Sequence, residues 1–160
     1  MANKQKILAQ MIDQLQADLL MLEQAVELAR DTATHSDCLG SSKYETMGLE
    51  ASYLAQGQGI RLLEVERSLS CFKKIKLSDQ VTTAVSLSSL LQLEDDRGSQ
   101  QMIWLAAVAG GLKVECDDMK VTVVTPQSPL GRALVGKRVG DELEIKIAGV
   151  NRSYEILTVY

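Results

Sequence analysis

The residues best suited to chemistry crowd into one short polar stretch, Thr32 to Tyr44. It carries His35, Asp37, Cys38, Ser41, Ser42 and Lys43. His35 is the chain's single histidine. A metal site or a proton-transfer dyad would need a second group at ligand or hydrogen-bonding spacing, and none stands beside it. A solvated loop histidine is therefore expected. Cys38, Cys71 and Cys116 are odd in number and form no C-x-x-C pair. That argues against a disulfide framework and against structural zinc, and leaves three free thiols. An exposed Cys38 would be open to oxidation, but only Lys43 lies near enough in sequence to favour its thiolate. Asp37, taken alone, is a loop or capping residue.

What positions this stretch is clear from its flanks. Before it, apolar or small residues recur at Leu8, Ile12, Leu15, Leu19, Leu22, Val26, Ala29 and Ala33, in alternating steps of four and three. Asp13, Asp18, Glu23, Glu27 and Arg30 lie off this seam, the pattern of a heptad helix. The run from Asn3 to Ala33 has no Pro or Gly and would make a helix about 45 Å long. A seam that narrow needs a partner along its length. After the polar stretch, Tyr44, Met47, Ala51, Ala55, Leu62, Val65, Leu69 and Phe72 repeat the spacing, with Gln58 at the missing step. Lys73, Lys74 and Lys76 suit a helix C-terminus. Gly40, Ser41 and Ser42 favour leaving a helix. The expectation is an antiparallel coiled-coil hairpin over residues 1–77, with its tip at 34–43.

Gly48, Gly57 and Gly59 interrupt the second run, each at a cost of about 1 kcal/mol relative to Ala. They mark a soft or close-packed segment. Gly57-Gln58-Gly59 lacks the third glycine and the preceding strand of a nucleotide-binding loop.

After Leu77-Ser78-Asp79 the apolar period shifts toward two, which places a domain boundary there and a second domain at 80–160. Strands are expected over 84–93, 102–108, 120–125, 139–147 and 152–159, with a charged turn at Glu94-Asp95-Asp96-Arg97-Gly98 and a hairpin turn at Ala148-Gly149-Val150-Asn151. Lys113-Val114-Glu115 is a further short segment. Ser128 is a good N-cap and Pro129 a good first helical residue, so a short helix should run from Leu130 to Val135 and stop at Gly136. The fold class is α+β: a helical hairpin, then an antiparallel sheet with one short helix on a face. Phe72 and Trp104 are the core aromatics expected of the two halves.

The 160 residues carry a net charge of −4, so the chain is not a generic nucleic-acid binder. No apolar run is long enough to cross a bilayer, and the N-terminus has no signal-peptide core. No membrane partner is expected, and the location expected is the cytoplasm.

The second half carries a resemblance. Thr125-Pro126-Gln127-Ser128-Pro129-Leu130-Gly131-Arg132-Ala133-Leu134-Val135-Gly136-Lys137, then Val139-Gly140-Asp141-Glu142, then Tyr154-Glu155-Ile156, resemble in that order the C-terminal domain of the bacterial GreA/GreB transcription elongation factors. In the first half, Ala29-Arg30, Tyr44, Glu66 and Leu69 are similar in placement to the family's hairpin. Glu50-Ala51-Ser52-Tyr53-Leu54-Ala55 is similar to a divergent Gre-like subgroup.

The resemblance implies an FK506-binding-protein-like C-terminal domain. That domain docks on the rim of RNA polymerase's secondary channel, and the coiled coil enters the channel. Acids at the tip then help hold a magnesium ion shared with the polymerase, which itself cleaves backtracked RNA. Such a factor is not an enzyme, has no cofactor of its own and meets the nascent RNA 3′ end only indirectly. Carried onto this chain, the tip acid is Asp37, with Ser41 and Glu45 as weaker candidates. Gln127, Ser128, Pro129 and Leu130 form the docking loop, and Arg30, Lys43 and Arg61 are candidate RNA or channel contacts. The chain departs from the pattern at the tip: the second family acid is missing, and Gly40 or Ser41 falls near its place. A hard divalent cation needs several oxygen ligands, so one carboxylate with serine hydroxyls binds more weakly. The expectation is a channel-binding regulator of elongation with weak or lost cleavage stimulation. Two alternatives differ in class. A peptidyl-prolyl isomerase would need a pocket lined with aromatics, and a coiled-coil adaptor would have no polymerase link.

Overall fold

The fold is taken from a computed structural model. It describes residues 3–34, 42–78 and 82–160, and for 33, 34, 42–47, 51 and 53 the backbone alone. Element order is α1 (Lys4–Thr34), α2 (Ser42–Lys73), β1 (Leu90–Asp95), β2 (Gln100–Leu105), β3 (Lys113–Cys116), β4 (Met119–Val124), α3 (Pro129–Leu134), β5 (Glu142–Ile147) and β6 (Val150–Val159). The chain forms two compact units: Asp13–Ser70, and Met1–Ile12 together with Cys71–Tyr160.

In the first of these units α1 and α2 pack through the expected seam. Leu15, Val26 and Ala29 are buried on α1, and Val65 and Leu69 on α2. Consecutive helices joined by so short a connection run antiparallel. Nothing lies within 4 Å of where a Cβ would stand at Gly57 or Gly59, so close packing does not account for these two glycines.

The sheet unit holds six strands in the order β3-β4-β2-β1-β6-β5. The α+β class is as expected, with one difference. The sheet is mixed, because β2 pairs with β4 in parallel, Met102 opposite Val121 and Leu105 opposite Val124. The hairpin strand β3 lies outside β4, so β4 reaches β2 by a crossover and not a tight turn. The first strand starts later than its apolar run suggests. Ser86 to Ser89 form a turn in which the Ser86 amide donates to Ser89 Oγ at 3.0 Å, and Ala84 only bridges to Arg138.

The alternation along each strand gives the sheet two buried faces. One carries Leu91, Leu93, Ile103, Leu105, Leu143, Ile145, Tyr154 and Ile156, packed with Leu134 of α3. The other carries Leu90, Trp104, Val121 and Val123, all at most 1% exposed. The first turns of α1 serve this second face. Lys4 Nζ lies 5.5 Å from the centre of the Trp104 ring and donates to the Tyr160 carbonyl oxygen at 3.0 Å. Burial pulls the Lys4 ammonium below its ordinary pKa. Lys6 forms an ion pair with Asp117. Ile7 and Met11, which lie off the heptad seam, are buried, as is Leu8. At its start, α1 needs the wider apolar face of a helix that packs on more than one neighbour.

Both two-residue hairpin turns use left-handed backbone, Asp117-Asp118 (φ 51° and 61°) and Ala148-Gly149 (φ 51° and 80°). That geometry matches the strand twist.

Candidate functional site

The loop expected to dock, at Gln127 to Leu130, is built by the short helix that follows β4. Ser128 is the N-cap of α3, and its Oγ accepts from the Gly131 amide at 3.0 Å. The same hydroxyl donates to the Thr125 carbonyl at 2.8 Å, and the Ser128 amide also reaches that carbonyl, at 3.0 Å. Pro129 at the first helical position needs no donor there. Arg132 reaches back one turn and donates from Nε (3.2 Å) and Nη2 (2.9 Å) to the Gln127 carbonyl. The helix ends as expected, with Gly136 at φ 78°.

The consequence is a loop held from both ends. Gln127 and Pro129 are exposed, and Ser128 is partly covered. Leu130 is half-buried and packs against the core of the sheet face below α3. Of the four residues expected to dock, Gln127 and Pro129 present themselves outward, Ser128 shapes the loop, and Leu130 divides its side chain between surface and core. Two residues that matter to this geometry, Gly131 and Arg132, entered the sequence reading only as part of the family motif, with no role of their own. A Cβ on Gly131 would stand 1.8 Å from the Thr125 carbonyl oxygen, so only glycine fits. The signal available was a glycine inside a helix that otherwise gains nothing from one.

Asp37 and Ser41 lie outside the described residues, as do His35 and Cys38; Lys43 and Glu45 are on α2 with only their backbone described. Arg30 is exposed on α1 and lines a groove between the helices with Glu23, Glu27 and Gly59. Arg61 is exposed on α2, its Nη1 3.4 Å from Glu64 Oε2 one turn on. Among the described residues no group of three His, Cys, Asp or Glu could hold a metal ion. Trp104 is fully buried, and Tyr154 is part of the core. No helix among the described residues is long and apolar enough to cross a membrane.

Comparison with known proteins points one way. The family profile for the C-terminal domain of transcription elongation factor GreA/GreB matches residues 113–160, which include β3 to β6 and the capped loop. Transcription elongation factor GreA of Beijerinckia indica is 32% identical over 134 residues, covering 84% of this chain and 80% of that protein. GreA of Rhodospirillum rubrum is 27% identical over 135 residues, covering 84% and 78%. The crystal structure of GreA factor homolog 1 (Gfh1) of Thermus thermophilus matches over 96% of this chain and 94% of that one, at 23% identity and a TM-score of 0.39, too low to carry weight. Taken with the sequence relatives, the capped Ser128-Pro129 loop and the paired helices identify the chain as a member of the GreA/GreB family of transcription elongation factors, accessory proteins that are not themselves enzymes.

Proposed function

We propose that this factor binds RNA polymerase in the cytoplasm through two elements. The loop at Gln127-Ser128-Pro129-Leu130 docks on the rim of the secondary channel. The helix pair enters the channel and carries Asp37 toward the magnesium that the polymerase holds. The observation that supports the tip's role is its chemistry in sequence: Asp37 is the one carboxylate between Thr32 and Lys43, and the neighbours that could assist it, Ser41 and Ser42, are uncharged. A single carboxylate leaves most of the coordination of a divalent cation to the polymerase and the RNA. Channel occupancy is therefore kept and stimulation of transcript cleavage is weak or lost. Tethering two contacts on one chain lets a modest loop contact contribute to a firm complex.

The test is RNA cleavage in a backtracked polymerase complex, with binding measured in parallel. Binding without cleavage, or with slight cleavage abolished by Asp37→Ala, is the expected result. Strong cleavage that survives Asp37→Ala overturns the role given to Asp37. No binding to core polymerase overturns the reading as a whole.

A further inference from the structure

Two segments of the sheet unit carry charge of one sign only. Residues 125–140 hold Arg132, Lys137 and Arg138 and no acid, and residues 82–93 hold no charge at all, in a chain whose net charge is −4. Backbone bonds tie the two together. The Val85 amide donates to the Lys137 carbonyl at 2.8 Å, Gly136 to the Val85 carbonyl at 3.2 Å and Val139 to the Thr83 carbonyl at 3.3 Å. Ala84 bridges Arg138 in the antiparallel sense. On this frame Leu87 is 55%, Val135 50% and Val139 46% exposed. Arg132 and Arg138 are exposed as well, and Lys137 is half-buried. Open aliphatic groups among cations have the make-up of an interaction surface, with apolar area at the centre and charge at the rim.

The charges select the partner. The nearest acid, Asp141, accepts from the Arg138 amide through Oδ2 at 2.8 Å. Glu142 and Glu144 alternate along β5 with Leu143 and Ile145, and the latter two belong to the core that Leu134 of α3 joins. The two glutamates therefore face the other side of the sheet. A second copy placed face to face would set the same three cations against each other. Single-stranded nucleic acid is held by aromatic rings on which bases stack, and neither segment contains one. A polypeptide segment with Asp or Glu beside aliphatic side chains satisfies both the centre and the rim. The surface is also continuous in the chain with the loop at Gln127–Leu130, through α3. We infer that it binds an acidic, partly aliphatic segment of RNA polymerase next to the point where that loop docks. The inference rests on the docking proposed above and adds the chemistry of the partner.

The experiment uses the full chain and core RNA polymerase. Affinity is titrated for wild type, Lys137→Gln/Arg138→Gln, Lys137→Glu/Arg138→Glu and Val139→Ser. Lys146→Glu, on the opposite side of the sheet, is the control for overall charge. Melting temperatures of the free chains show which variants are folded. At low salt, charge reversal should weaken binding about tenfold and the control less than about twofold, and the advantage of wild type over the neutralised variant should shrink as salt rises. In parallel, Leu87 is replaced by photoreactive benzoylphenylalanine, the complex is irradiated and the cross-linked polymerase peptide is sequenced. It should be rich in Asp or Glu. A folded charge-reversed chain that binds no more weakly than Lys146→Glu overturns the surface and leaves polymerase binding standing, as does a cross-link to a basic peptide. Single-stranded RNA retarded by the wild-type chain alone and not by the reversed variant overturns it in favour of nucleic acid. If reversal unfolds the chain, the neutralised variant and Val139→Ser decide: unchanged affinity in both overturns the surface, and a loss of a few-fold in each supports it. Failure of the unmodified chain to bind polymerase removes this inference together with the reading it rests on.

Discussion

Gly131 runs so close beneath Thr125 that an added Cβ would sit 1.8 Å from the Thr125 carbonyl oxygen, with Ser128 Oγ also only 3.0 Å away. The nearest atom is backbone, which cannot swing aside as a flexible side chain would. Gly131→Ala should therefore lower stability by about 2 kcal/mol, in the range usual for overpacking. Urea denaturation followed by Trp104 fluorescence measures it. A loss below about 0.5 kcal/mol would show that the loop yields easily, and with it the case for a rigid docking element.

The cap makes a second prediction. Ser128 both accepts from Gly131 and donates to Thr125. Ser128→Ala removes both bonds and should cost about 1 kcal/mol. Ser128→Asp keeps the acceptor and loses the donor, so it should fall between the two. Arg132→Met should leave global stability nearly unchanged and free the Gln127 carbonyl, which weakens polymerase binding through loss of loop order. Binding unchanged in both Ser128→Ala and Arg132→Met would take this loop out of the interface.

The glycines of α2 give a prediction of opposite sign. Gly57 and Gly59 have helical backbone and empty space where a side chain would go. Gly57→Ala and Gly59→Ala should each raise stability by about 0.5–1 kcal/mol, through helix propensity and a less disordered unfolded chain. Amide hydrogen exchange in this part of α2 should slow in step. Destabilisation by either change would mean that the helix bends there in a way a Cβ obstructs.

The pairing of Lys6 with Asp117 predicts a pH dependence. The hydrogen bond from Lys6, and then its charge, hold the Asp117 carboxyl below its ordinary 3.8. The same hydrogen bond raises Lys6 above 10.5. The contribution of the pair is thus fully present between those two values. It is lost as pH falls through the depressed pKa of Asp117, or rises through the raised pKa of Lys6. Asp117→Asn is a clean comparison, since asparagine accepts the left-handed turn at that position. The gap in melting temperature between wild type and Asp117→Asn should shrink in acid and in 1 M salt. Both side chains are largely exposed, so the gap should be small at neutral pH. A gap independent of both variables would assign it to the turn and not to the charges.

How much of this was legible beforehand depended on whether the cause was local. The capped helix could be read from Ser128, Pro129 and Gly136, because caps and turn residues act within a few positions. The heptad seam could be read for the same reason, and Val26, Ala29, Val65 and Leu69 are buried as it required. The parallel pairing of β2 with β4 could not, since strand alternation says which face is buried and nothing about which strand is adjacent. Ile7 and Met11 escaped notice because they lie off the heptad seam read along α1, yet both are buried. Gly131 escaped because its reason for being glycine is a carbonyl six residues earlier, seen only when the loop is built. Asp37 and Ser41, on which the proposed chemistry depends, fall outside the described residues.

The sheet order has a consequence for biosynthesis. β1 is flanked by β2 on one side and by β6 on the other, and β5 is attached only through β6. The nascent polypeptide therefore exposes the leucines of β1 along an open border until the final strand emerges, a wait on the order of seconds at ordinary translation speed. During that interval the first turn of α1, whose Lys4 lies over Trp104 and bonds the Tyr160 carbonyl, has an unfinished platform to settle on. Codons that slow the ribosome between β1 and β6 would lengthen this vulnerable period, and chaperone demand should rise with them.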